Sequence, residues 1–167
     1  MSNTPLRLLL DTNVLLDEYL PMRPGSQVSR TLLCTAQEQG LDLLYPARVL
    51  VDIHYQIAST LKRLVRAERG VLSESDAQSI QRIAWSCIDN LCEFATAVGL
   101  DESDIWLARK YRRFNGDFED NFVLAAAERA QVDYLVTSDQ KLLRKATVAA
   151  LSPADMLSLL EARAVQP

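Results

Sequence analysis

Four places in this sequence set a carboxylate against the edge of an apolar element. Asp11 closes the run Leu6-Arg7-Leu8-Leu9-Leu10, and Asp52 interrupts Val49-Leu50-Val51-Asp52-Ile53. Asp117 and Asp120, three apart in Asp117-Phe118-Glu119-Asp120, meet on one side of a helix start. Asp139 lies just beyond Tyr134-Leu135-Val136-Thr137. Each has a plain structural use. Asp11, Asp117 and Asp139 suit helix or turn caps, Glu119 and Asp120 suit a helix dipole, and Asp52 suits a solvated margin. Taken together they allow a second use. Carboxylates gathered at one end of a sheet repel one another unless some are protonated or a cation sits among them. An all-oxygen set without His or Cys suits Mg²⁺ or Mn²⁺, ions that make a nucleophile of water and clamp a phosphodiester.

The elements that must position these acids follow from periodicity. Four leucines within Leu6–Leu10 read as a buried strand, and Val14, Leu15 and Leu16 as the start of a helix seated on a sheet. Residues 21–25 (Pro-Met-Arg-Pro-Gly) form a turn, and Ser26 opens a helix to about Gln39. Leu41–Tyr45 reads as a strand. A long helix from Arg48 to Gly70 carries Val49, Ile53, Ile57, Leu61 and Leu64 on one face. Ser73 opens the next helix, with Ile80, Ala84, Ile88, Leu91 and Ala95 as its buried stripe and Trp85, Cys87 and Cys92 extending it. Residues 95–100 suit a short strand, and Asp101 starts a helix running into Arg109, Lys110, Arg112 and Arg113. After a break at Asn115-Gly116 come a helix over 118–130, a strand over 134–137, a short helix or turn over 140–145 and a strand around 147–149. Ser152-Pro153 then caps a terminal helix. Strands alternating with helices predict a small parallel sheet of four or five strands with helices on both faces. Asp11 and Asp139 then stand at strand ends on the same side of that sheet, where open α/β folds bind ligands.

Length and composition narrow the classes. At 167 residues and 49% hydrophobic, the chain is expected to form a single domain over 1–167. Residues 1–5 are polar and the apolar run after them is short, so neither a signal peptide nor a membrane span is expected. Three cysteines, Cys34, Cys87 and Cys92, lack metal-ligand spacing and are expected to be reduced, mostly buried thiols of a cytoplasmic protein. A lone His54 disfavours a histidine triad or a His-rich zinc site. The net charge of −4 argues against wholesale coating of nucleic acid, while leaving room for an acidic pocket with basic residues at its rim.

Three segments resemble the PIN-domain ribonucleases, a family that includes VapC-like toxins. Leu9-Leu10-Asp11-Thr12-Asn13-Val14 looks like the family's opening. Asp117-Phe118-Glu119-Asp120 followed by Ala125-Ala126-Ala127, and Asp133-Tyr134-Leu135-Val136-Thr137-Ser138-Asp139, look like its closing half. The resemblance implies a three-layer α/β/α sandwich and divalent-metal-dependent endonucleolytic cleavage of single-stranded RNA. It implies an acidic quartet of Asp11, Asp52, Asp120 and Asp139, with Thr12 or Asn13 supporting the first and Asp117 standing behind the ligands. Asp11 and Asp120 would be the core Mg²⁺ or Mn²⁺ ligands, and Asp139 and Asp52 flanking ligands or water-orienting bases. The family usually has Glu at the second acid, and Asp52 is one methylene shorter, so contact through a water is expected there. Arg109, Arg112, Arg113, Lys141 and Arg144 are candidates for holding the RNA backbone. The implied partners are single-stranded RNA and, for toxin members, a small antitoxin, with a homodimer as a further assembly. The rival from another class is a catalytically degenerate PIN-like module that only binds RNA or a protein. A haloacid-dehalogenase-like phosphatase also places Asp at the first strand end, but it needs a second Asp two residues on, where Asn13 stands.

Overall fold

The computed structural model describes residues 4–165; residues 1–3 and 166–167 of the expected domain lie outside them. Five strands form one parallel sheet: β1 (Arg7–Leu10), β2 (Asp42–Pro46), β3 (Thr96–Val98), β4 (Tyr134–Val136) and β5 (Ala150–Leu151). Their order is β3-β2-β1-β4-β5, so β1 is central. Leu9 is in register with Leu44 of β2 on one side and with Leu135 of β4 on the other. The chain builds outward from β1 to β2 and β3, then crosses to the opposite side for β4 and β5. The crevice between the carboxyl ends of β1 and β4 is therefore the point where the winding reverses.

Side chains on a strand alternate between faces, and β1 divides the protein accordingly. Leu8 and Leu10 enter a core shared with α1 (Thr12–Tyr19), α2 (Ser26–Glu38), α3 (Val49–Arg69), α4 (Glu74–Phe94) and α8 (Pro153–Ala164). Leu9 enters the other, with α5 (Glu102–Tyr111), α6 (Phe118–Arg129) and α7 (Gln140–Lys145). Helices on both faces of a parallel sheet make the three-layer α/β/α sandwich. It also explains why β1 is leucine on both faces, since neither face meets water.

Caps set the helix starts. Ser73 and Asp76 form a reciprocal capping box on α4, and Asp101 and Asp104 do the same on α5. Gly70, at φ +79°, ends α3 in a conformation that favours glycine. No helix among the described residues is long and apolar enough to cross a membrane.

Four expectations need correction. The last strand is Ala150–Leu151, pairing with Leu135 and Val136, rather than 147–149. Trp85 is 58% exposed and Cys92 is exposed, so neither extends the buried stripe of α4. Both directly follow a stripe residue, Ala84 or Leu91, and one residue along a helix turns about 100° away from that face. Cys34 is exposed too, so the thiols are not mostly buried, and Leu64 of α3 faces outward instead of sharing the buried face of Val49, Ile53 and Ile57.

Leu9→Ala tests the two-core division. The lost side chain is fully buried, so the substitution is expected to cost about 3 kcal/mol. For a chain of this size that is a fall in Tm of roughly 6–12 °C by thermal denaturation. A change below about 1 °C would contradict the packing of β1 against α6.

Candidate active site

Asp11 follows β1 directly and is only 7% exposed. Its carboxylate is nonetheless well supplied with donors. The Thr12 N–H donates to Oδ1 at 2.7 Å. Asn13 Nδ2 and Thr137 Oγ1 donate to Oδ2 at 2.8 and 2.7 Å. Asn13 also accepts the Ser138 N–H at 3.0 Å, and Thr137 Oγ1 accepts that of Asp139 at 3.0 Å. Asp11 thus caps α1 and ties the end of β1 to the loop after β4.

Asp117 and Asp139 cap helices in a common manner. Asp117 Oδ1 accepts the N–H groups of Glu119 and Asp120, and Asp139 Oδ1 accepts those of Lys141 and Leu142. Each thereby commits one oxygen and keeps Oδ2 free of hydrogen bonds among the described residues. Asp120, on the first turn of α6, takes a 3.3 Å hydrogen bond from Asn115 Nδ2. Asn115 is itself buried; its Oδ1 accepts from the Asp117 N–H at 3.2 Å and from Lys145 Nζ at 3.3 Å.

These side chains line one cleft of about 330 Å³: Asp11, Thr12, Asn13, Asp117, Asp120 and Asp139, joined by Glu119, Gln56, Arg23, Leu16 and Val123. Burial pushes the Asp11 carboxyl above the ordinary range; the Thr137 and Thr12 hydrogen bonds oppose this, and the charges of Asp120 and Asp139 add to it. Asp120 is raised as well, chiefly by burial, against the Asn115 hydrogen bond and with the charges of Asp117, Asp139 and Glu119. The acids therefore feel one another across the cleft. Among the described residues no three Asp, Glu, His or Cys side chains already stand close enough to clasp an ion. The donor set, all oxygen and with uncommitted carboxylate oxygens facing a shared space, is of the kind that hard divalent cations take.

Asp52 stands apart. It is half-buried on the first turn of α3, 3.5 Å from Arg48 Nη1, which also reaches Glu119 Oε1 at 3.1 Å. Gln56, one turn further along, is the α3 side chain that lines the cleft. The five basic candidates divide likewise. Arg109, Arg112 and Arg113 lie with Trp106 and Lys110 along an open groove of about 730 Å³. A smaller one of about 250 Å³ shares Arg109 and Arg112 and adds Phe118, which sits between Asp117 and Glu119 in the chain. Lys141 and Arg144 are exposed on α7 and line neither groove.

Sequence reasoning assigned no role to Thr137, Asn115, Gln56 or Arg23. Thr137 carried a usable signal, as a hydroxyl residue directly after an apolar strand and two before an acid. Asn115 looked like a chain break, and Arg23 like part of a turn.

The PIN domain model matches residues 7–141. No curated protein matches the chain. Among solved structures, VapBC2 from Rickettsia felis, bound to a DNA fragment from its promoter, is similar at 14% identity and TM-score 0.58, over 88% of this chain and 98% of that one. FitAB bound to a DNA fragment is similar at 18% identity and TM-score 0.59, over 87% and 94%. PAE2754 from Pyrobaculum aerophilum is similar at 17% identity and TM-score 0.52, over 94% and 96%. At such identities these likenesses speak for the fold.

Asp120→Asn tests the mutual repulsion. A folded-state pKa above the unfolded one means that the neutral form is favoured by folding, a contribution present in acid and lost as pH rises. In EDTA near neutral pH the substitution is therefore expected to raise Tm by about 1–2 °C, with the gain shrinking as pH falls through the raised folded pKa and gone below the ordinary Asp value. A lowered Tm at neutral pH would mean that the helix dipole of α6 dominates instead.

Proposed function

The chain belongs to the PIN-domain family, and on that footing we propose that it is a divalent-metal-dependent endoribonuclease hydrolysing phosphodiester bonds of single-stranded RNA. The observation that carries this is the acid cleft at the β1–β4 crevice, where Asp11, Asp120 and Asp139 line one space and the charges of Asp120 and Asp139 add to the upward push of burial on Asp11. Those three would hold Mg²⁺ or Mn²⁺, which when bound lowers the pKa of a water and offsets phosphate charge. Thr12, Asn13 and Thr137 hold the Asp11 carboxylate in one orientation, so a ligand meets it without reorganisation. Asp139, with Oδ2 uncommitted, would serve as a flanking ligand or orient the attacking water and take its proton. Asp117 sets the start of α6 and with it the position of Asp120. Asp52 acts at the margin, through a water.

The basic grooves along α5 favour a single strand as substrate. Trp106 is 61% exposed with Lys110 Nζ 5.2 Å from its ring centre, and Phe118 is exposed as well. Aromatic faces interleaved with Arg109, Arg112 and Arg113 suit unstacked bases on a tracked backbone. The similarity to VapBC2 and FitAB agrees with a toxin held by an antitoxin protein; as part of the same proposal the protein acts in the cytoplasm as a single domain, alone or as a homodimer.

Single-stranded RNA should be cut in Mg²⁺ or Mn²⁺ and spared in EDTA; undiminished cleavage in EDTA would overturn the reading. Asp11→Ala should lower kcat/KM by at least about 100-fold, Asp52→Ala by less, and Asp52→Glu should retain or improve activity. Absence of Mn²⁺ binding by calorimetry would point to a degenerate binding module.

A further inference from the structure

Among the described residues lining the acid cleft, one is a cation, Arg23. An arginine there to neutralise the site would pair with its acids. Arg23 instead donates Nε to Asp17 Oδ1 at 2.5 Å, and no ion pair joins it to Asp11, Asp120 or Asp139. Asp17, on α1, is 3% exposed, so a buried carboxylate holds the inner edge of the guanidinium. The two terminal nitrogens of Arg23 donate to no group among the described residues.

The local chain is shaped around this pair. The turn is closed by the Arg23 N–H on Leu20 O at 3.0 Å and the Ser26 N–H on Arg23 O at 3.1 Å. Gly25 has φ −81°, which any residue adopts, so its backbone does not call for glycine. Space does: a Cβ on Gly25 would stand 2.1 Å from Asp17 Oδ2. The absence of a side chain at Gly25 lets Asp17 occupy its place, and Asp17 in turn fixes Arg23. A guanidinium presents several N–H donors in a rigid fork, and one held by Nε keeps its outer pair for a second planar or tetrahedral oxyanion.

We propose that Arg23 is a phosphate seat: its outer edge binds non-bridging oxygens of the phosphodiester in the cleft, with Asp17 as the residue that positions it. This rests on the ribonuclease reading above and adds a positively charged group, lining the same cleft as the acids, that meets the substrate's charge. Arg23 would steady the phosphate and the negative charge that grows on it as the bond breaks.

Arg23→Gln alone strands a buried carboxylate and can fail to fold, so the test uses Arg23→Lys and the double variant Asp17→Asn/Arg23→Gln, with melting curves for each. Cleavage of a single-stranded RNA in Mg²⁺ should fall about 10-fold for the lysine variant and about 100- to 1,000-fold for the double variant, at similar Tm. Binding of the same RNA, by fluorescence anisotropy in an Asp120→Asn background, supplies a second readout. The slope of log affinity on log salt should flatten by about 0.7 when one phosphate contact is lost, a change that a merely structural pair would not produce. Wild-type-like cleavage with an unchanged slope overturns the phosphate seat and leaves the ribonuclease reading standing. If the unaltered protein leaves RNA uncut, that reading falls, and the slope alone decides on Arg23.

Discussion

The site depends on holding a buried carboxylate at the one crevice where the sheet reverses its winding. Asp11 is deep enough for burial to disfavour its charge, and the fold answers with donors from two sources. Thr12 and Asn13 come from the start of α1, which follows Asp11 in sequence; Thr137 comes from the end of β4, distant in sequence and adjacent in the sheet. The Asp11 N–H also donates to Val136 O at 3.0 Å, so the two strand ends are sewn together by backbone and side chain alike. Displacing β4 by one residue would move Thr137 away from Asp11 and leave the carboxylate short of a donor. The register of the sheet and the integrity of the site are thus one constraint. It bears on the surroundings as well, because Asp139 hangs from Thr137 Oγ1 and α7 begins on Asp139.

Capping and chemistry prove compatible here because a carboxylate has two oxygens. Asp117 and Asp139 each give Oδ1 to the N–H groups at a helix start, which fixes the side chain, and Oδ2 is then aimed by that attachment. A helix N-terminus also carries partial positive charge, which tempers the repulsion among acids so close together. For Asp139 the cap therefore does not compete with the role proposed for it, and for Asp117 the cap is itself the means of positioning Asp120.

This bears on what could be read in the sequence. The fold was legible because each element buries one periodic stripe or run, as β1 shows with leucines on both faces. The acids were legible as boundary residues, since Asp11, Asp117 and Asp139 all follow or precede an apolar run. What was hidden had no local signature. Thr137 matters through a hydrogen bond spanning 126 positions in sequence, and Asn115 through a network assembled from α6 and α7. Arg23 sits in a turn rich in proline and glycine, where the composition announced a bend and masked the Asp17 pair that the bend creates. Trp85 failed differently. Hydrophobicity suggested burial, but the α4 stripe was already filled by Ala84 and Ile88, and the indole was left outside.

Asp52 shows how a helical position can be right in phase and still lie outside the cleft. Val49 and Ile53 are buried and Asp52 flanks them, as the period requires. Gln56, one turn on along the same side of α3, faces the cleft, so the side of the helix is the correct one. The carboxylate's surroundings decide the rest. Arg48, one turn before Asp52, lies 3.5 Å from Oδ2, and that oxygen is buried without a hydrogen bond, so the ion pair is a loose one. Arg48 is shared with Glu119 at 3.1 Å, the shorter of its two contacts, and this draws the guanidinium toward α6. Asp52 is therefore held at the cleft's margin by a partner whose better contact is elsewhere. A side chain longer by one carbon–carbon bond, about 1.5 Å, would carry its carboxylate further from the helix axis while keeping the same side of α3.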